Sequence, residues 1–210
     1  MHICLLGATG RVGRRLLAQA LAEGHRVTAL VRSPDKVGQL ADERKLRLVQ
    51  GNACTQPDLL TALQGADAVI SCLGTDGGTV LTETTPLLLE AMQQLGVRRV
   101  IAIGTAGILD SSSHSGLLRY ESPDSRRSST RAAEEHRRAW EQLAAADPAL
   151  AWTLVCPTYL PEGERTGRYR MVRDRLPEGG TSISTGDTAD CALRQLADDS
   201  YLRCRVGLAY

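Results

Sequence analysis

Three glycines near the start of the chain have the spacing that a phosphate-binding turn requires. Gly7, Gly10 and Gly13 follow the apolar run 2–6 and open an amphipathic segment. In this arrangement the first glycine permits a tight turn, the second lets the backbone approach a pyrophosphate, and the third lets a helix pack closely on a strand. The free N–H groups of the helix N-terminus then face the phosphates. The predicted dinucleotide site comprises Gly7, Thr9, Gly10, Arg11, Val12 and Gly13.

The residues after the second predicted strand indicate which dinucleotide binds. Many NAD sites have an acidic residue here, which binds the adenosine ribose. This chain has Arg32 and Ser33 instead, and a guanidinium with a hydroxyl favours a 2′-phosphate through charge-assisted hydrogen bonds. We therefore expect NADPH rather than NADH, with Arg11 as a second cation near the phosphate; a solvated Arg32 is the alternative. The adenine and ribose are expected between residues that follow the third and fourth strands, Asn52, Ala53, Leu73, Gly74 and Thr75.

Strand-like and helix-like segments alternate along the chain and define the fold class. Predicted strands are 2–6, 26–32, 46–50, 67–73, 99–104, 151–156, 168–172 and 203–209, and predicted helices are 11–23, a short one after Pro34, 57–64, 82–95, 130–146 and 188–198. This order predicts an α/β, Rossmann-type, doubly wound and mostly parallel sheet, with residues 1–210 as a single domain. Ligands of such sheets bind beyond the carboxyl ends of the strands.

Composition excludes several other classes of protein. The formal net charge of +1 gives no general attraction to nucleic acid or to membranes. The six cysteines have no CxxC spacing, and Cys4, Cys72 and Cys156 fall in predicted strands, so we expect neither a metal site nor disulfides. No signal peptide or membrane-spanning run is recognisable. We expect a cytoplasmic protein in a reducing compartment.

With these features, the chain resembles the atypical short-chain dehydrogenase/reductases of the NAD(P)H-binding (NmrA-like) group. Within that group it is most similar to the flavin reductase/biliverdin-IXβ reductase family, and the resemblance covers nearly the whole chain. It is carried by GATGRVG at 7–13, VTALVRSPDK at 27–36, DAVISCLGT at 67–75, GVRRVIAIGTAG at 96–107, WTLVCPTYLPEGERTGRY at 152–169, and His136. The first segments are shared by the wider superfamily, so they specify the cofactor more than the substrate. The resemblance also implies a monomer.

The resemblance implies which residues surround the nicotinamide. Thr105 matches a position where the family has Ser or Thr, and it is expected to hydrogen-bond the substrate or the carboxamide. Pro157, Thr158 and Tyr159 match the nicotinamide pocket, where the family often has a histidine in place of Tyr159. We expect Tyr159 to position the substrate, because a phenol is a poor acid at neutral pH unless its pKa is perturbed. His136 is a further substrate-side candidate, or only a residue near a helix N-terminus.

The tyrosines lack the lysine partner that tyrosine-based reductases use. Four residues after Tyr120, Tyr159 and Tyr169 come Asp124, Gly163 and Arg173. This argues against ordinary alcohol dehydrogenation and fits a reductase that positions its substrate, because the cofactor carries the chemistry.

Two long segments, 106–131 and 157–186, are predicted to be substrate-side loops. Loops of this length are functional or disordered. Arg119, Arg126 and Arg127 could meet carboxylates or phosphate on a substrate, unless the first loop is simply solvated. We expect an NADPH-dependent reductase that transfers hydride to a planar acceptor, namely a flavin, a biliverdin-like tetrapyrrole or a quinone. The alternatives are an NADP-binding redox sensor without turnover and an epimerase or dehydratase on the same fold.

Overall fold

The computed structural model describes residues 1–38, 43–125 and 128–210, and its strands form one eight-stranded sheet. The strands are β1 (His2–Leu6), β2 (Arg26–Val31), β3 (Leu46–Gln50), β4 (Ala68–Ser71), β5 (Arg99–Ile103), β6 (Ala151–Pro157), β7 (Arg170–Arg173) and β8 (Cys204–Ala209). Their order across the sheet is β3-β2-β1-β4-β5-β6-β8-β7, and every pair is parallel except β7 with β8. The predicted doubly wound, mostly parallel sheet is confirmed.

Helices cover both faces of the sheet. They are α1 (Arg11–Ala22), α2 (Gln56–Leu63), α3 (Val80–Leu95), α4 (Arg131–Ala144) and α5 (Thr185–Arg194). Apolar residues of α1 and α5, including Leu16 and Ala192, pack with Leu5 and Val155 of the sheet into one core. A second core on the opposite face joins α2, α3 and α4 to the alternate side chains of the same strands. Because both faces are covered, β1 and β4 are buried along their whole length.

The parallel register aligns the carboxyl ends of the central strands. Leu6 of β1 pairs with Leu30 on one side and with Ser71 on the other. Ile103 of β5 pairs with Val155 of β6. The segments that follow these strands therefore share one edge of the sheet, where the predicted site residues were expected to meet.

The sequence-based boundaries differ from the structure in three places. The short helix after Pro34 is a single 3₁₀ turn, Pro34–Val37, which ends before Gly38 at φ 77°. Helix α5 begins within the predicted helix start 184–187, where Ser184 accepts a hydrogen bond from the N–H of Asp187 and caps it, but it ends at Arg194 rather than at 198. The segment 106–131, predicted as a loop, contains in its described part the 3₁₀ helix Ala106–Ile108 and an antiparallel bridge from Asp110 to Leu118.

The cysteines and helices bear on three further features: disulfides, metal binding and membrane spans. All six cysteines are free, and burial raises the pKa of Cys4 to about 12. Within the described ranges, no group of three or more His, Cys, Asp or Glu could hold a metal ion. None of the helices in these ranges is both long and apolar enough to cross a membrane.

Candidate functional site

The glycine-rich turn between β1 and α1 is packed so closely that only glycine fits at two of its positions. Gly7 has φ 76°, and a Cβ there would lie 2.7 Å from the carbonyl of Cys72. A Cβ on Gly13 would lie 2.0 Å from the carbonyl oxygen of Gly7, so only glycine lets α1 approach β1 so closely. Gly10 precedes the first turn of α1 with no side-chain cap. The first N–H groups of α1 therefore remain available to an anion, as a dinucleotide pyrophosphate requires.

The residues expected to hold the adenosine follow β2, β3 and β4, strands that lie on both sides of β1. Arg32 follows β2 and forms an exposed ion pair with Asp76, at 3.3 Å between Nη2 and Oδ2. After β3, the side chain of Asn52 accepts a hydrogen bond from the N–H of Cys54, and its own N–H donates to Asp58. A carboxylate that sequence analysis did not single out, Asp76, thus lies beside the cation assigned to the 2′-phosphate.

An open cleft lies at the carboxyl ends of β5 and β6. Its volume is about 750 Å³. The cleft is lined by Thr105, Ala106, Ser112, Ser113, Arg119, Ser122, Asp124, Ser125, Thr158 and Tyr159. Tyr159 is 72% exposed, with a phenol accessible to a planar ligand. The structure therefore brings together four residues predicted for the nicotinamide and substrate, Thr105, Arg119, Thr158 and Tyr159.

Helix α1 holds the segment that carries Tyr159. Arg11 donates from Nη1 to the carbonyl of Leu160 at 2.9 Å, so its guanidinium bridges the glycine-rich turn to this segment. Arg14 pairs with Glu162 at 2.8 Å, and the hydrogen bond from Arg14 lowers the pKa of that carboxyl. Sequence analysis assigned Arg11 to the cofactor phosphate. In the structure its guanidinium also binds the carbonyl of Leu160.

One predicted substrate residue of the described ranges, His136, is not among those that line the cleft. His136 lies in the second turn of α4 rather than at its start. It borders a cavity of about 40 Å³ between the sheet, α3 and α4, together with Ser71 and Trp140. Arg126 and Arg127 lie outside the described residues. The structure therefore separates His136 from the cleft lining.

Two features of the cleft were missed by sequence analysis. His114 and Asp124 meet Ser113 in the loop that forms one wall, with contacts given below. Arg205 of β8 lies buried beneath that loop, where it donates to the carbonyl of Ile108 and pairs with Asp110. Neither feature has a periodic signal, because each depends on residues brought together by the fold.

Comparisons with known proteins agree with this geometry. The sequence model of the NAD(P)H-binding family matches residues 7–199. An uncharacterised Bacillus subtilis protein, YwnB, is 28% identical over 209 residues, which cover 93% of this chain and 92% of that protein.

Solved structures with the same fold carry different names. A Bacteroides thetaiotaomicron protein provisionally named an epimerase is 27% identical, with a TM-score of 0.86 over 100% of this chain and 96% of its own. A Streptococcus pneumoniae protein provisionally named an NADH-flavin reductase is 26% identical, with a TM-score of 0.78 over 100% of this chain and 99% of its own.

The family match begins at the glycine-rich turn and extends into the segment after α5. It therefore includes the turn, the adenosine side and the cleft described above. A nicotinamide dinucleotide is the ligand that the turn, the sheet edge and the family have in common. The chain belongs to the NAD(P)H-binding family.

Proposed function

We propose that the protein is an NADPH-dependent reductase that transfers hydride to a planar acceptor. The observation that carries this proposal is the open cleft at the carboxyl ends of β5 and β6, with Thr105 and an exposed Tyr159 at its wall. A cleft of about 750 Å³ suits a flavin, a biliverdin-like tetrapyrrole or a quinone better than a small alcohol. Arg119 on the same wall suits an acceptor with carboxylates or phosphate.

The residues around the cleft fit hydride transfer without a tyrosine–lysine pair. The only lysines of the chain are Lys36 and Lys45, which belong to the segments flanking β2 and β3 rather than to the ends of β5 and β6. A bound nicotinamide would supply the hydride. The protein then orients the acceptor, with Thr105 donating a hydrogen bond and Tyr159 stacking on a ring.

The preference for NADPH over NADH rests on Arg32 and Ser33. Both follow β2, at the end of which a 2′-phosphate would lie in this fold. A guanidinium binds phosphate strongly through paired N–H groups.

An epimerase is a second candidate because the relative from Bacteroides thetaiotaomicron carries that provisional name. Epimerases of this kind would restore their nicotinamide at the end of each cycle. A redox sensor without turnover is a third reading, and the missing tyrosine–lysine pair is compatible with it.

Calorimetry and absorbance distinguish these functions. We expect NADP⁺ to bind at least tenfold more tightly than NAD⁺, and NADPH absorbance to fall when FMN, biliverdin or a quinone is added in turn. Tight binding with no turnover on any of the three would contradict the reductase and favour the sensor. A Tyr159→Phe variant should keep more than a tenth of the wild-type kcat, because the phenol positions the acceptor and does not donate its proton.

A further inference from the structure

A cluster of polar side chains forms the loop wall of the cleft. It consists of Ser111, Ser113, His114, Ser122 and Asp124, and we refer to these residues as the loop cluster. Nδ1 of His114 lies 3.0 Å from Oγ of Ser113, 3.1 Å from Oγ of Ser122 and 3.5 Å from Oδ2 of Asp124. Oγ of Ser113 also donates a short hydrogen bond to Asp124.

These contacts indicate which atom carries the proton. A serine hydroxyl has one hydrogen, and that of Ser113 is donated to Asp124. Its oxygen must therefore accept from His114, which places a hydrogen on Nδ1. A nucleophilic serine triad would need the imidazole between serine and carboxylate, using two different nitrogens. Here both partners meet the same nitrogen, so the loop cluster is suited to donating a proton rather than to attacking an acyl group.

Part of the loop cluster reaches the ligand side of the loop. Ser113, Ser122 and Asp124 line the cleft, whereas His114 lies behind them with its side chain 40% exposed. A ligand in the cleft can therefore contact Ser113, whereas His114 is not part of the cleft lining. Water can reach the imidazole, so a proton lost there can be replaced.

We propose that His114, supported by Asp124, supplies the proton that accompanies hydride transfer, and that Ser113 passes it into the cleft. This inference rests on the proposed reductase function. During the transfer the hydroxyl of Ser113 turns its hydrogen from Asp124 to the acceptor. The acceptor then gains a hydride, with its electron pair, from the reduced nicotinamide, and one proton from Oγ of Ser113. Ser113 regains a proton from Nδ1 of His114, the imidazolium becomes neutral imidazole, and water restores its proton. Asp124 stabilises the imidazolium by its charge.

The charged and titratable groups near His114 come from its own loop and from the opposite wall. Asp124 is the carboxylate in contact with it, Arg119 shares the cleft wall, and Tyr159 lies on the loop after β6. Glu121 of the same loop is paired with Arg137 of α4 at 2.6 Å. A rate that needs the imidazolium falls as pH rises, because loss of its proton removes the general acid.

The test compares two acceptors in single-turnover NADPH oxidation between pH 5.5 and 9. A soluble naphthoquinone needs a proton to leave as the hydroquinone, whereas FMN can accept hydride and leave as an anion. In His114→Asn an amide replaces the ring near the position of Nδ1 but does not titrate. We expect this variant to reduce the quinone about 100-fold more slowly than wild type, at the lower end of the usual range for a lost general acid. We also expect the variant to lose the decline of the quinone rate at alkaline pH. The fall in its FMN rate should be at least fivefold smaller than the fall in its quinone rate.

Matched variants and a solvent experiment keep the proposal falsifiable. His25→Asn removes a histidine between α1 and β2, away from the cleft, and should keep wild-type rates and pH dependence. Wild type in D₂O should slow more than twofold with the quinone and less with FMN. Ser113→Ala should remove this difference between the acceptors, which decides the matter if His114→Asn does not fold. Equal rates and pH profiles for wild type and His114→Asn, or equal isotope effects for both acceptors, would overturn the relay. Wild type that turns over neither acceptor would overturn the proposed function and the relay with it.

Discussion

Gly13 is the residue at which the close approach of α1 to β1 is most demanding. A Cβ would lie 2.0 Å from the carbonyl oxygen of Gly7 and 2.8 Å from its carbon, both backbone atoms that cannot rotate away. We expect Gly13→Ala to weaken NADP⁺ binding more than tenfold and to lower the free energy of unfolding by about 1–3 kcal/mol, as other overpacked sites do. Calorimetry and urea titration measure the two effects.

Gly78→Ala is the control for this substitution. A Cβ on Gly78 would have its nearest neighbour, the carbonyl oxygen of Thr75, at 3.8 Å. Gly78→Ala should therefore change NADP⁺ binding and the free energy of unfolding little. If Gly13→Ala bound NADP⁺ as wild type does, the turn would not be the pyrophosphate site.

Asp76 carries a negative charge beside Arg32, the cation expected to bind a 2′-phosphate, and therefore weakens binding of that phosphate. It pairs with Arg32 at 3.3 Å, and both side chains are largely exposed. Exposed pairs contribute about 0.2–1 kcal/mol, so Asp76→Asn should tighten NADPH binding by roughly 2–5-fold and leave NADH binding unchanged. Asparagine tolerates the positive φ of 47° at this position.

The matched control is Asp35→Asn, which makes the same change in net charge on the 3₁₀ turn after β2. Dissociation constants for both cofactors can be measured by calorimetry at constant ionic strength, because exposed charges are screened by salt. NADPH binding that weakens in Asp76→Asn would show that the carboxylate assists Arg32 rather than competing for it.

At the scale of elements, Arg205 of β8 supports the wall of the cleft. It stacks on Trp140 of α4, with 4.1 Å from Cζ to the ring centroid, and pairs with Asp110 and Asp174 at 2.7 and 3.1 Å. It also donates to the carbonyl of Ile108. One buried side chain thus ties a strand, a helix and the base of the loop that carries the loop cluster.

We expect Arg205→Met to lower the free energy of unfolding by about 2–3 kcal/mol. This is less than the cost of a fully buried broken pair, because Asp110 and Asp174 are partly exposed and water can solvate them. Urea titration gives the value, and Arg47→Met on the exposed surface of β3 provides the comparison. KM for the acceptor should also rise, since the loop wall would lose its anchor. An unchanged unfolding free energy would mean that the loop is held by its other contacts.

The elements differ in how well they can be predicted from the sequence. The strands and α1–α4 follow from local apolar patterns, and the glycine turn is encoded within seven consecutive residues, 7–13. The loop cluster and Arg205 were not predictable in this way. Arg205 donates a hydrogen bond to Ile108, which lies 97 positions earlier in the sequence. Asp124 contacts Ser113 in a loop that folds back on itself, with a bridge from Asp110 to Leu118. Such contacts depend on tertiary packing and leave no period in the sequence.

At the scale of the whole molecule, the segment after β6 is fastened to both helices of one face. Arg11 and Arg14 of α1 bind it from one side, through Leu160 and Glu162. From the other side, Asp187 of α5 accepts hydrogen bonds from the backbone of Thr166 and Gly167 at 2.7 and 2.8 Å. The glycine turn and Tyr159 are therefore parts of one framework, in which movement of α1 would change the cleft.

This framework contains a carboxylate whose charge should affect stability at acidic pH. Burial opposes the ionisation of Asp187, but hydrogen bonds from Thr166, Gly167 and Tyr210 outweigh burial and lower its pKa. A carboxylate with a lowered pKa in the folded state stabilises that state above the ordinary aspartate pKa, about 3.9. This stabilisation is lost as pH falls through the folded pKa.

Tyr210→Phe tests this expectation, because the hydroxyl of Tyr210 donates to Asp187 at 2.7 Å and accepts from the N–H of Ser184 at 3.1 Å. We expect the variant to lose about 1.5–3 kcal/mol of unfolding free energy at pH 7, as hydrogen bonds to charged groups are worth this much. The difference from wild type should shrink as pH falls below the ordinary aspartate pKa and through the lowered folded pKa of Asp187. Urea titrations from pH 3 to pH 7 measure it, with Tyr201→Phe as the control. A difference that stays constant over this range would show that the bond to Ser184 accounts for the loss, and that the charge of Asp187 does not.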